Sequence, residues 1–169
     1  MKSINFEFVR AKHEHLADLA AFAEQYMASD PPSALIKLRT FGEMMTNDLY
    51  ARLGLVQPYD ANLNDLLNGQ PFQDAVPSVV VAKLHLIRKA GNQAAHEGKG
   101  SEEIARRALH EAYHLATWLH VAFDSGSQSD CPGFRAPESG SAADETKARL
   151  KRGVFTGNVM APVTISLFD

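Results

Sequence analysis

The run Lys83-Leu-His-Leu-Ile-Arg-Lys-Ala-Gly-Asn-Gln-Ala-Ala-His96 sets Arg88, Asn92 and His96 at successive i, i+4 steps. On a helix these three form one polar stripe. Val80, Leu84, Ile87, Gly91 and Ala94/Ala95 run beside it, at the positions expected to face a core. A guanidinium, an amide and an imidazole at the margin of an apolar face have two uses. They tie helices together, or they receive an anion such as phosphate. Tying is expected as the main use, because an unpaired donor at a core margin costs about 1–3 kcal/mol. Arg39 and Glu43, four residues apart beside Leu38 and Phe41, read as a structural ion pair or a bridge to Arg88.

Other spacings carry weaker chemistry. His110-Glu-Ala-Tyr-His114 has the spacing of a zinc-protease helix, with His120 at the position of a third ligand. The apolar stripe of that segment centres near Ala112, which turns His110 and His114 roughly 160° to either side of it, toward solvent. Thr117 stands where that pattern needs a glycine to turn the chain. In an unbroken helix His110 and His120 lie about 15 Å apart, too far to share one ion. No metal is therefore expected. Gly98-Lys-Gly-Ser101 has neither the spacing nor the leading strand of a phosphate loop. His13-x-His15 reads as surface polarity, and Cys131 has no neighbouring histidine to activate a thiol. Lys83, Arg88, Lys89, Lys99, Arg106 and Arg107 gather positive charge near Glu97, Glu102 and Glu103. A solvated helical face is the first reading; contact with a phosphate backbone is the second.

Helices must position these residues. One is expected over about 13–28, with Leu16, Leu19, Ala20, Ala23 and Met27 on one face. Asp30 followed by Pro31 is a strong start for a second, running to about Leu53 with Leu35, Leu38, Phe41, Met45 and Leu49 inward. Gly54 then ends it. A short piece over 63–68 follows in an Asn/Gln/Pro-rich loop region. Pro77 and Ser78 open the helix of the stripe, and Gly98 and Gly100 punctuate its end. Ser101 caps a last helix that buries Ile104, Ala108, Ala112, Leu115, Leu119 and Ala122, with Gly126 at its exit. Before residue 125 no segment alternates with period 2, so the fold class is all-α, a four-to-five-helix bundle over 1–124. From 125 to 143 the chain is rich in Ser, Gly, Pro and Asp and reads as a linker. Residues 145–152 look like the first turns of a charged helix. The tail 153–169 alternates Val163, Ile165 and Leu167 with Thr164 and Ser166, and is expected to be flexible or docked on another protein.

The 169 residues hold 20 Asp+Glu against 17 Lys+Arg, a formal charge of −3, and one cysteine. That balance argues against a general nucleic-acid coat or a membrane-surface protein. One cysteine makes no internal disulfide. The apolar residues are dispersed, without a secretory core or a spanning run. A cytoplasmic protein is expected, with no membrane partner.

With these segments in order, the chain resembles the N-terminal helical domain of the restriction (R) subunit of type I restriction-modification enzymes. The resemblance rests on Asn5-Phe-Glu-Phe8, Leu19-Ala20, Ala23-Glu-Gln-Tyr26 and the run from Asp30-Pro-Pro-Ser33 through Arg39-Thr-Phe-Gly-Glu43. It continues in Leu84 to His96 and in the Ala/Leu helix ending Thr117-Trp118. It implies a domain that precedes a linker, a nuclease and an ATP-driven motor. It also implies modification and specificity subunits as partners, with DNA backbone as a further contact. The nuclease and motor motifs are missing here, so the resemblance implies a truncated chain with no catalytic residues and no cofactor of its own. The domain is also similar to the HEPN helical group, some of whose members are metal-independent ribonucleases using an Arg and a His four to six residues apart. Arg88 and His96, with seven residues between them, depart from that spacing. The ribonuclease or toxin reading therefore stands as an alternative, and a generic dimerisation domain as another.

Overall fold

The computed structural model describes residues 1–138, and the expectations for 145–152 and 153–169 lie outside them. The described part is all-helical: α1 Glu14–Tyr26, α2 Pro31–Arg52, α3 Leu63–Asn68, α4 Gln70–Ala75, α5 Ser78–Glu97 and α6 Glu102–Phe123, with short 3-10 turns at Glu7–Val9 and Gln128–Asp130. No strand occurs among the described residues. The bundle has six helices rather than four or five. The added one is α4, a turn and a half that contributes a single buried anchor, Phe72. Its ring stacks on Tyr50 with centroids 5.0 Å apart. Gly69 is shared as the end of α3 and the start of α4, where a Cβ would meet the Tyr50 hydroxyl at 2.8 Å. A six-residue helix with one anchor leaves no periodicity to read.

The long helices form where local signals place them. The Asp30 side chain accepts from the Ser33 N–H, and the Ser101 side chain from the Ile104 N–H, each satisfying a donor at a helix start. α2 and α5 end at Gly54 and Gly98, whose φ of 65° and 61° suit glycine. α6 ends differently from expectation: Ser125, not Gly126, takes the left-handed φ of 58°.

α2 is the central helix and packs against α1, α5 and α6. Leu35, Leu38, Phe41, Met45 and Leu49 are all buried, the stripe expected from sequence. Each such side chain contributes about 1.5–3 kcal/mol when removed from water. On α1 Leu19 is only half-buried, and on α5 Ala94 is buried while Ala95 is exposed. On α6 Ala108, Ala112, Leu115 and Leu119 are buried, but Ile104 and Ala122 at the two ends are exposed. Ala105 beside Ile104, and Leu119 and Asp124 on either side of Ala122, are buried, so these two point off the buried stripe rather than past its ends.

Gly91 sets how closely α2 and α5 approach, while Gly42 sits at a spacing that would leave room for a Cβ at ordinary contact distance. A Cβ at Gly42 would touch Ile87 at 3.6 Å and Leu84 at 3.7 Å. A Cβ at Gly91 would clash with the Arg39 Cβ and lie 3.0 Å from the Leu35 carbonyl oxygen. The seam that carries the polar stripe is thus closed by backbone proximity. The stretch from Ser125 to Glu138, read by composition as linker, lies back along the helices. The Arg135 N–H donates to Asn5 Oδ1 at 2.8 Å, and Asn5 Nδ2 donates to the Arg135 carbonyl at 2.8 Å. Tyr113 donates its hydroxyl to the Pro132 carbonyl, and Phe134 packs on the Tyr113 ring.

Candidate functional site

Arg88 and Asn92 are half-buried on α5, while Lys89 and His96 are exposed. Because α5 is unbroken, Arg88 and His96 stand eight residues apart, about 12 Å along the axis. The Arg88 Nε–H donates to His85 Nδ1 at 3.3 Å, one turn back on the same helix. Among the described residues no hydrogen bond or ion pair from Arg88, Asn92 or His96 reaches another helix. The polar stripe does not stitch helices together through its side-chain polar atoms; the glycine contact does that. Arg39 and Glu43 do not pair with each other either. The Arg39 chain lies across Gly91, and its Nε is buried without a partner, as is Asn92 Oδ1. The Arg39 stem therefore packs into the α2–α5 seam at Gly91.

The six cations noted in the sequence divide into two groups. Lys83 pairs with Glu111, Lys99 with Glu97 at 2.7 Å and Arg106 with Glu102 at 2.6 Å. Arg88, Lys89 and Arg107 have no carboxylate partner among the described residues. Arg88 and Lys89 open onto a groove of about 600 Å³ between α3 and α5, lined also by His85, Asn64 and Asn68. No Asp or Glu lines it. Burial, then the charges of Arg88 and Lys89, push the His85 imidazole below its ordinary value, so the ring is neutral near pH 7. Since Nδ1 accepts from Arg88, the neutral ring carries its proton on Nε2. Sequence reasoning passed over His85, whose signal was its place one turn before Arg88. Asn64 and Asn68 gave none, because their helix is too short to show a face.

A second polar region was misread from sequence. His13, taken for surface polarity, is buried and bonds through Nε2 to Asp124 Oδ2 at 2.7 Å. Asp124 Oδ1 accepts from Arg52 at 2.9 Å, and Arg52 also meets Asp48 at 2.8 Å. Burial acts to raise the Asp124 carboxyl, but the hydrogen bonds and charges of Arg52 and His13 outweigh it and hold it below the usual carboxylate range. Nearby in type, Glu24 is buried and accepts from the Ser3 hydroxyl and Ile4 N–H through Oε2, and from the Asn5 N–H and Nδ2 through Oε1. These clusters pin the N-terminal segment and the ends of α1, α2 and α6.

His110 and His114 face solvent, as their angular positions imply. The His110 ring lies tilted against Phe134 with centroids 4.6 Å apart, and His120 bonds Asp130 at 3.1 Å. Among the described residues no three His, Cys, Asp or Glu side chains are grouped to hold a metal ion. Burial pushes the Cys131 thiol up, which keeps it protonated. The Gly98–Ser101 stretch is a helix-to-helix turn.

The described residues form a helical bundle with a cationic groove beside α5. Residues 22–121 match the family described as Domain of unknown function (DUF4145), and the chain belongs to that family. It is 31% identical over 140 residues to the type I restriction enzyme EcoKI endonuclease subunit of Escherichia coli (strain K12). That match covers 83% of this chain and 12% of the relative, so the chain is a restriction-enzyme-related domain spanning about an eighth of that protein's length. No solved structure matches it. No helix among the described residues is long and apolar enough to cross a membrane.

Proposed function

We propose that the chain is a non-catalytic docking module of a type I restriction endonuclease R subunit, acting in DNA restriction in the cytoplasm. Residues 1–124 are the module, a HEPN-like bundle, and 125–169 its linker and tail, of which 125–138 lie back along the helices. It binds within a complex of modification and specificity subunits, and the face of Arg88, Asn92 and His96 touches DNA backbone. The observation that carries this reading is the 31% identity extending over 83% of the chain while occupying 12% of the relative. Such a proportion fits one domain of a larger machine. The half-buried placement of Arg88 and Asn92 beside an exposed Lys89 supports an anion contact, because two cations there lack acidic partners.

Retention of the purified chain by modification and specificity subunits in a pull-down is the test. With magnesium, ATP and duplex DNA, neither ATP hydrolysis nor cleavage is expected. Failure to bind either subunit, together with concentration-dependent self-association, would replace docking by simple dimerisation. Cleavage of single-stranded RNA in EDTA to 2′,3′-cyclic phosphate ends, abolished by His96→Ala in a folded protein, would replace it by a ribonuclease.

A further inference from the structure

We propose that the groove between α3 and α5 is a phosphodiester site for duplex DNA backbone. Arg88 and Lys89 supply its charge, and His85, Asn64 and Asn68 supply hydrogen-bond donors. The choice of DNA as the phosphate source rests on the restriction-module reading; the site itself rests on geometry. Every polar side chain lining the groove has donors to spare. Arg88 spends only its Nε on His85, and Lys89, Asn64 and Asn68 make no side-chain hydrogen bond among the described residues. His85 presents Nε2–H without needing to be protonated, since Nδ1 is already occupied. The site thus carries two fixed positive charges and five donor groups with no competing carboxylate, where Lys83, Lys99 and Arg106 each have one close by.

The helix that carries two of the donors is held in place. Asn64 and Asn68 are four residues apart on one side of α3. That helix is fixed by its capping box, with the Asp65 N–H donating to Asn62 at 3.0 Å and the Asn62 N–H to Asp65 at 3.1 Å. Tyr50 of α2 donates to the Leu66 carbonyl at 2.6 Å and locks α3 to the bundle. A fixed helix removes the backbone share of the ordering cost, leaving only side-chain rotamers to be ordered when an anion arrives. An open groove of about 600 Å³ admits a sugar–phosphate segment; the adjoining hollow of about 420 Å³ shares His85 but is lined by the Asp74 carboxylate and is not part of the anion site.

The test is fluorescence anisotropy of a labelled duplex with the full chain, titrated over a range of salt. Lys89→Glu is expected to weaken binding about tenfold and to lower the slope of log affinity against log salt by about one. Asn68→Asp, which places a carboxylate in the groove, is expected to act in the same direction. Lys99→Glu changes net charge equally outside the groove and should weaken binding less than about threefold. Circular dichroism checks that each variant folds. Equal losses from Lys89→Glu and Lys99→Glu, or no duplex binding by the unaltered chain, would overturn the site. Displacement of the duplex by millimolar inorganic phosphate at matched ionic strength would reassign it to free phosphate, and tighter binding of single-stranded RNA would reassign it to RNA. Lys89→Glu should still be retained by the modification and specificity subunits. Loss of docking in the unaltered chain with groove-dependent DNA binding intact would sink the module reading and leave the site standing.

Discussion

At the two ends of α1 and where α6 stops, buried carboxylates have matched partners: Asp124 lies between His13 and Arg52, and Glu24 takes four donors from residues 3–5. In the middle of α5, past the Lys83–Glu111 pair, Arg88 bonds only to His85 and Lys89 has no carboxylate partner among the described residues. Burial separates the two regions. The Asp124 side chain is 2% exposed, so an unpaired charge there would be too costly to keep, and the fold supplies partners. Lys89 reaches water and needs none. A saturated cluster holds helix ends together and has no capacity left for a ligand. An unsaturated cationic cluster adds little to stability and keeps its donors available.

That contrast can be broken most directly at Asp124. Asp124→Ala leaves His13 and Arg52 facing an empty buried site, and should lower the free energy of unfolding by about 2–4 kcal/mol in a denaturant titration. The lower end is expected if Arg52 relaxes onto Asp48. A loss below about 1 kcal/mol would show that the cluster is dispensable. Glu24→Ala comes next, at about 2 kcal/mol, because the Ile4 and Asn5 N–H groups lose their acceptor. Amide exchange should rise first over residues 3–9, and unchanged protection there would contradict the assignment.

The same cluster sets an acid limb. The folded Asp124 carboxyl titrates below its ordinary 3.8, so as pH falls the unfolded chain takes up that proton first. Its contribution is therefore fully present above about pH 4 and is lost as pH drops through the lowered folded value. Glu7, held at about 2 chiefly by its hydrogen bond from Arg10, titrates in the same direction. The readout is therefore the difference between the unaltered chain and Asp124→Asn, whose stability should vary less with pH below 4. Parallel acid curves for the two would remove Asp124 from the account.

The smallest stability effect is expected on the other side of the comparison. Arg88→Ala should change stability by no more than about 1 kcal/mol, since it severs one bond within α5. Duplex affinity should nevertheless fall. A large loss of thermal stability would restore the helix-tying role that sequence spacing favoured.

Much of the fold could be read from the chain alone. The inward set Leu35, Leu38, Phe41, Met45 and Leu49 is a local repeat that any helix of that sequence must place on one side. Asp30, Gly54, Gly98 and Ser101 mark ends through backbone and capping preferences that act over a few residues. Arg88, Asn92 and His96 were visible for the same reason. The short α4, the burial of His13 and the exposure of Ile104 were not, since each depends on what lies across the bundle.

By itself the sequence determined an all-helical chain, the register of its long helices and the order of side chains along α5, because these follow from bonds and contacts within a few residues. Tertiary structure alone decided which polar groups are matched. His13 meets Asp124 across 111 positions of chain, and Asn64 and Asn68 come beside Arg88 only because Tyr50 and Phe72 seat α3 and α4 against the bundle. Pairing and solvent access are properties of distance in space, and spacing along the chain does not encode that distance once the chain has turned.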